Sequence, residues 1–277
     1  SSEDEKLDII DYYVEALNGL DSENTYQLTI LNRPVPSTLL DQVTYELQGD
    51  ANDRFREEYN DMIRSRFATD QNNFKVVKYI TVSTQAKDRK QAYRKLNDIE
   101  NHFATQFQIV DVPIKALDGS QRLNIFNDLL RGNPYLNVSY RDVALSGLTT
   151  KSFIAPSRIF FQPDQMRLDK KYAKVLFIRN YPSFLNDRLI KSLTDIGIEL
   201  AITIHANPYD ISESIKKINN AEAQVKMDMI KSQKGAARDG ITGDLAVSGV
   251  AKAIADEATK WKDEVEDRDQ KIFSGVF

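Results

Sequence analysis

Residues 172–231 carry strand-like and helix-like signals in alternation, and this order limits the folds open to the chain more than any other stretch. The run Lys174-Val175-Leu176-Phe177-Ile178-Arg179-Asn180-Tyr181-Pro182 is short, rich in β-formers and stopped by a proline, which is the pattern of a buried strand. Farther on, Ile198, Leu200, Ile202 and Ile204 alternate with Glu199, Ala201, Thr203 and His205, turning one face inward and the other to solvent. Between the two runs Ser183 is placed to cap a helix whose apolar residues Phe184, Leu185, Leu189, Leu193 and Ile196 recur at helical spacing. A long charged helix follows Pro208. The stretch reads as strand–helix–strand with a helical arm, a frame suited to positioning partners.

The chain has 277 residues, 41% of them hydrophobic and 28% charged, enough apolar material for a sizeable core in one large domain or two ordinary ones. A net charge of −4 argues against a general nucleic-acid binder, because neutralising phosphates takes a basic excess. With no cysteine there is no disulfide framework, thiol nucleophile or thiolate metal site. No apolar run approaches the roughly 18 residues of a membrane span, and no signal-peptide pattern opens the sequence. The expectation is a soluble protein compatible with the cytoplasm.

Upstream, residues 7–17 keep helical period, and Tyr26-Gln27-Leu28-Thr29-Ile30-Leu31 alternates as a strand ended by Arg33-Pro34. A helical region after Ser37 breaks near Gln48-Gly49-Asp50 and resumes over 52–67. A strand over 74–83, a helix over 88–107, a strand over 108–115 and a short helix over 119–130 follow. Residues 135–169 break this rhythm with Pro156 and Pro163, and carry a strand or two near Ile159-Phe160-Phe161. The fold class is therefore α/β (α+β): a first αβ lobe over 1–134, a connector over 135–170, and a second αβ lobe over 171–277.

The second lobe includes an antiparallel helical hairpin over 208–271. Its first helix presents Ile211, Ile215, Ile218, Val225 and Met229 in a seven-residue stripe. A polar loop over 232–244 contains Gly235, Gly240 and Gly243, and the second helix carries Val250, Ile254, Ala258, Trp261 and Val265 at three- and four-residue steps. The hairpin either covers the sheet or projects as an arm, and a new apolar strand begins at Lys271. A chain that stops on a new strand suggests a fragment of a longer product.

Catalytic motifs are scarce. Gly235-Ala236-Ala237-Arg238-Asp239-Gly240-Ile241-Thr242 has the glycine spacing of a phosphate-binding loop, but Ile241 stands where the phosphate-reaching lysine belongs and a helix precedes it in place of a strand. A linker between helices explains those glycines better. His102 and His205 have no second histidine or carboxylate at ligand spacing, so no metal site and no catalytic residue is assigned. The cluster Lys87, Arg89, Lys90, Arg94 and Lys95, with Tyr93 among it, is the best candidate for anion or nucleic-acid contact; a solvated helix start is the plainer reading.

The run from Lys174 to Pro182 with Phe184-Leu185, then Ile202-Thr203-Ile204-His205 and Pro208, then Ile215-Lys216-Lys217-Ile218, resembles the amino-terminal region of conjugative-transfer ATPases. These are the CagE/TrbE/TraC-like energisers of type IV secretion, and the likeness is greatest to those of Gram-positive conjugative elements. Residues 26–33, 79–82 and 152–156 are similar to the same region. The resemblance implies a non-catalytic assembly domain, with ATP bound by a separate motor domain and no cofactor here. It implies docking to inner-membrane secretion channel proteins, self-association and contact with a coupling protein, at the cytoplasmic face of the membrane. Carried onto this chain, the hairpin helices become the docking surface, with Ile215, Ile218, Val225, Met229, Val250, Ile254 and Trp261 as its candidate residues. The alternative is a nucleic-acid-binding module built on the basic residues 87–95.

Overall fold

A computed structural model describes residues 3–35, 37–69, 73–132, 138–181, 188–238, 259–262, 265 and 270–276. The class is mixed α and β, as expected, with a four-stranded and a three-stranded antiparallel sheet among the described residues. The chain divides into two compact units, one of residues 1–99 with 180–277 and the other of 100–179. This division cuts across the expected lobes at 1–134 and 171–277. The reason is pairing between distant strands, which local patterns do not encode.

In the first unit, α1 (Glu3–Asn18) leads into β1 (Asn24–Pro34). A 3-10 turn (Ser37–Gln42) and α2 (Asp53–Thr69) precede β2 (Phe74–Thr84), and α3 (Arg89–Ile109) begins in the same unit. The chain returns to this unit with α7 (Arg188–Thr194), β6 (Leu200–Pro208), α8 (Ile211–Arg238) and β7 (Phe273–Val276). The sheet order is β2-β1-β6-β7, so β1 sits between a strand that follows it closely and one from the far end of the sequence.

Register explains which side chains enter the core. Tyr26, Leu28, Ile30 and Asn32 of β1 lie opposite Val82, Ile80, Lys78 and Val76 on one side and Ala206, Ile204, Ile202 and Leu200 on the other. Because side chains alternate along a strand, these rows share one largely apolar face. Tyr26, Ile30 and Ile202 are buried there, and Ala16 of α1 and Leu20 just after that helix are fully buried. The expected alternation of the 198–204 run holds in part: Ile202 is buried and Ala201 and His205 are exposed, but Ile198 precedes β6 and is 50% exposed, and Thr203 is half-buried like Ile204.

The Tyr13 hydroxyl of α1 meets the Tyr26 hydroxyl of β1 at 2.8 Å, a link between helix and sheet. Burial pushes the phenol of Tyr13 above its ordinary range, and burial together with the neighbouring Tyr13 does the same to Tyr26. The folded protein therefore keeps both protons at pH values where the unfolded chain, titrating near pH 10, has begun to lose them. Stability is expected to hold up to about pH 10 and fall above it. Urea midpoints measured across that boundary test this, with a shallower decline for Tyr26→Phe; an equal decline in wild type and variant would refute it.

In the second unit, the end of α3 is followed by α4 (Gly119–Arg131), α5 (Tyr140–Ser146) and α6 (Thr150–Ile154). A meander of β3 (Ile159–Phe161), β4 (Met166–Leu168) and β5 (Lys171–Ala173) completes it. Two helices begin with reciprocal caps: Asp118 with Gln121 for α4, and Ser139 with Asp142 for α5. Phe103, Leu123, Asn127 and Val143 are buried, and the Arg131 guanidinium donates to the Phe153 carbonyl at 3.1 Å.

Four expectations need correction. Residues 108–115 do not form a strand: α3 runs to Ile109 and ends in a Schellman turn, with Asp111 at φ 56° and the Val112 N–H donating to the Phe107 carbonyl at 2.9 Å. Residues 174–178 are not a buried strand: β5 ends at Ala173, and the strand–helix–strand unit does not exist because β5 and β6 lie in different sheets. The segment read as a connector holds α5, α6 and β3–β5. Lastly, the polar loop does not begin at Ser232. The helix α8 continues to Arg238 because Lys234, Ala236, Ala237 and Arg238 favour helix strongly enough to carry Gly235, at a cost of about 1 kcal/mol.

Candidate functional site

The basic cluster sits at the start of α3. Asp88 caps the helix by accepting from the Gln91 N–H at 2.8 Å, while the Gln91 side chain accepts from the Lys87 N–H at 2.8 Å. Arg89, Lys90, Tyr93 and Arg94 are exposed on the first turns, Tyr93 strongly so, and their spacing places them on neighbouring ridges of one face. Cations there oppose the positive end of the helix dipole, so helix stability does not account for them. Lys95 stands apart from this group. It is half-buried, ion-paired with Glu23, and donates to the Gln85 carbonyl at 3.1 Å.

The residues expected to form the docking hairpin divide differently. Ile218 of α8 and Val265 form a buried apolar cluster, with Ile215 and Ile272 packed against it. Two of the expected docking residues, Ile215 and Ile218, therefore hold the fold together at this point. Val225 is half-buried, Trp261 is exposed and Met229 lies within α8. Val250 and Ile254 lie outside the described residues. The Glu222 carboxyl is held below its ordinary range first by a hydrogen bond to Lys226, with Lys262 adding its charge. That influence and the 218–265 contact place Lys262 and Val265 alongside the first half of α8.

The most exposed large apolar side chains in the described residues include a contiguous run: Val175 at 75%, Leu176 at 81% and Phe177 at 73%. Their position follows from the size of the meander. The three-residue ladder of β5 on β4 pairs Ala173 with Met166, and the chain before β4 turns back to β3 at residues 162–165, where the Gln162 N–H donates to the Gln165 carbonyl. Residues 174–178 thus run past the end of the sheet, with no strand beside them among the described residues. Asp169, at φ 52°, fixes the turn that launches this segment: its carboxylate accepts from the Arg158 N–H at 2.9 Å and its own N–H donates to the Arg158 carbonyl at 2.9 Å. On one face of the meander Phe160, Arg167 and Tyr172 stand in register, all exposed, with the Arg167 guanidinium over the Tyr172 ring.

As for reaction chemistry, no group of three His, Cys, Asp or Glu side chains suited to a metal occurs among the described residues. His102 sits in α3 with its ring edge-on to Phe103, and His205 is exposed on β6 opposite Gln27 and Val276. Gly235 to Arg238 lie in α8, and 239–242 lie outside the described residues. Among the described residues no helix is long and apolar enough to cross a membrane. The exposed segment was visible in the sequence as an apolar run, but its position was not. A run apolar at every residue carries no alternation to tell a buried strand from an uncovered one. The chain matches no family model and no curated protein.

Proposed function

We propose that this chain is a non-catalytic assembly domain of a conjugative-transfer ATPase, joining the motor to inner-membrane secretion channel proteins. The observation that supports this reading is the exposed run Val175-Leu176-Phe177. These side chains are left exposed among the described residues, and leaving them in water forfeits on the order of 1.5–3 kcal/mol of transfer energy for each. A partner that covers them recovers that energy. They also lie within the segment that resembles the conjugation energisers. On this reading ATP is handled by a motor elsewhere in the parent protein, and the domain works at the cytoplasmic face of the membrane, where self-association and a coupling protein add further contacts.

The test is capture of channel proteins from detergent-solubilised membranes of cells carrying the transfer system. The tagged wild-type chain is expected to retain them and the Leu176→Asp/Phe177→Asp variant to lose them at unchanged thermal stability. Capture that is absent, or equal for both proteins, would refute the reading. A second reading, nucleic-acid binding, is favoured by the exposed Arg89, Lys90, Tyr93 and Arg94 face with Lys87 beside it. Phosphate contacts weaken steeply with salt, so DNA binding at low salt that fades as salt rises would favour this second function.

A further inference from the structure

The assembly reading leaves open how the exposed segment meets its partner, and the inference below rests on that reading. Residues 174–178 combine three features. Val175, Phe177 and Ile178 are β-formers, and the segment continues directly from β5, an edge strand. The main chain of residues 175–177 makes no hydrogen bond to another described residue, which leaves its N–H and C=O groups unmatched there. The flanks are basic: Lys170, Lys174 and Arg179 are exposed and, among the described residues, form no ion pair. From Ser157 to Arg179 six side chains are basic and two acidic, within a chain whose net charge is −4.

We propose that residues 174–178 form a strand-addition site for an extended segment of a partner protein, apolar at alternate positions and acidic at its ends. An added strand satisfies the unmatched backbone groups and covers Val175, Leu176 and Phe177 in one step. Charge selects among occupants. A second copy paired antiparallel about Leu176 and Phe177 sets Lys174 against Arg179, so the chain repels itself at the site. Anionic lipid matches the basic rim but leaves the main-chain groups without partners in hydrocarbon, where each costs several kcal/mol. Only an acidic strand meets both demands.

The test uses the full chain and a fluorescein-labelled synthetic peptide of alternating valine and threonine, bounded at each end by paired glutamates. Fluorescence anisotropy is expected to show saturable binding. Binding should weaken by about tenfold or more when the peptide's glutamates are lysines, when a proline interrupts it, or in Leu176→Pro and Lys174→Glu/Arg179→Glu variants of the chain. The substituted residues are exposed, so unchanged thermal unfolding of each variant checks that the fold is kept. Absence of saturable binding, or equal binding by the proline-interrupted peptide, overturns the proposal. So does flotation with phosphatidylglycerol vesicles without peptide binding, or a dimer in sedimentation that Leu176→Pro abolishes. If channel proteins are still captured in those cases, the assembly reading stands and strand addition alone is lost.

Discussion

Asn32→Ala is expected to lower the unfolding free energy by about 3 kcal/mol, which is large against the margin of a typical domain. Asn32 is 1% exposed, and its amide Nδ2 donates to the Thr194 carbonyl at 2.9 Å and the Ile198 carbonyl at 3.0 Å. Thr194 is the last residue of α7, and Ile198 follows Gly197, whose φ of 74° turns the chain toward β6. One side chain on β1 thereby closes the exposed end of α7 and fixes the entry of β6 next to its partner strand. Alanine orphans two carbonyl groups and leaves a void where the amide stood. Asn32→Asp should be at least as damaging, because it aims a carboxylate at two acceptors. Denaturant midpoints with unchanged slope would report this loss; a change below about 1 kcal/mol would show that water replaces the amide without cost.

Ile218→Asp is expected to cost more than about 3 kcal/mol, while Trp261→Asp costs only about 1–2 kcal/mol. Ile218 is 4% exposed against Val265, with Ile215 and Ile272 around it, so aspartate at that position buries a charge with no cation supplied. Trp261, four residues before Val265, is 49% exposed, so its replacement gives up only part of a side chain's burial. The pair separates two roles that one stripe of helical spacing merges. If both substitutions left the denaturation midpoint in place, the 218–265 cluster would not be a core. If Trp261→Asp alone abolished capture of channel proteins, the hairpin would be a docking surface alongside the β5 edge.

Much of the local structure was legible because it depends on near neighbours. The period of residues 7–17 and Asn18-Gly19 located α1 and its end; the alternation of 26–31 and 198–204 located two strands of the central sheet. The helix α5 was missed although Ser139 and Asp142 stand at capping-box spacing, because seven residues give too little apolar period to see. Gln108 to Lys115 misled for a related reason. Val110, Val112 and Ile114 alternate like a strand, but α3 has the stronger local preference up to Ile109 and Asp111 accepts the left-handed turn that ends it.

The candidate site was the hardest part to place. Val175 to Ile178 reads as strand on composition, and nothing within those residues says whether a neighbour exists to cover them. That depends on the length of β4 and on where the β3–β4 turn falls, which are matters of pairing across the chain. The basic residues at the start of α3 were visible, but the diversion of Lys95 to Glu23 depends on where the turn before β1 comes to lie against α3.

By itself the amino-acid order determined what neighbours in sequence can settle: where helices start and stop, which strands have two unlike faces, and the lack of thiol chemistry. Tertiary structure alone decided that β1 lies between β2 and β6, that Ile218 is interior, and that Leu176 faces water. The physical reason is range. Capping and periodicity act over a turn or two of backbone, whereas burial is fixed by which distant segment arrives to exclude solvent.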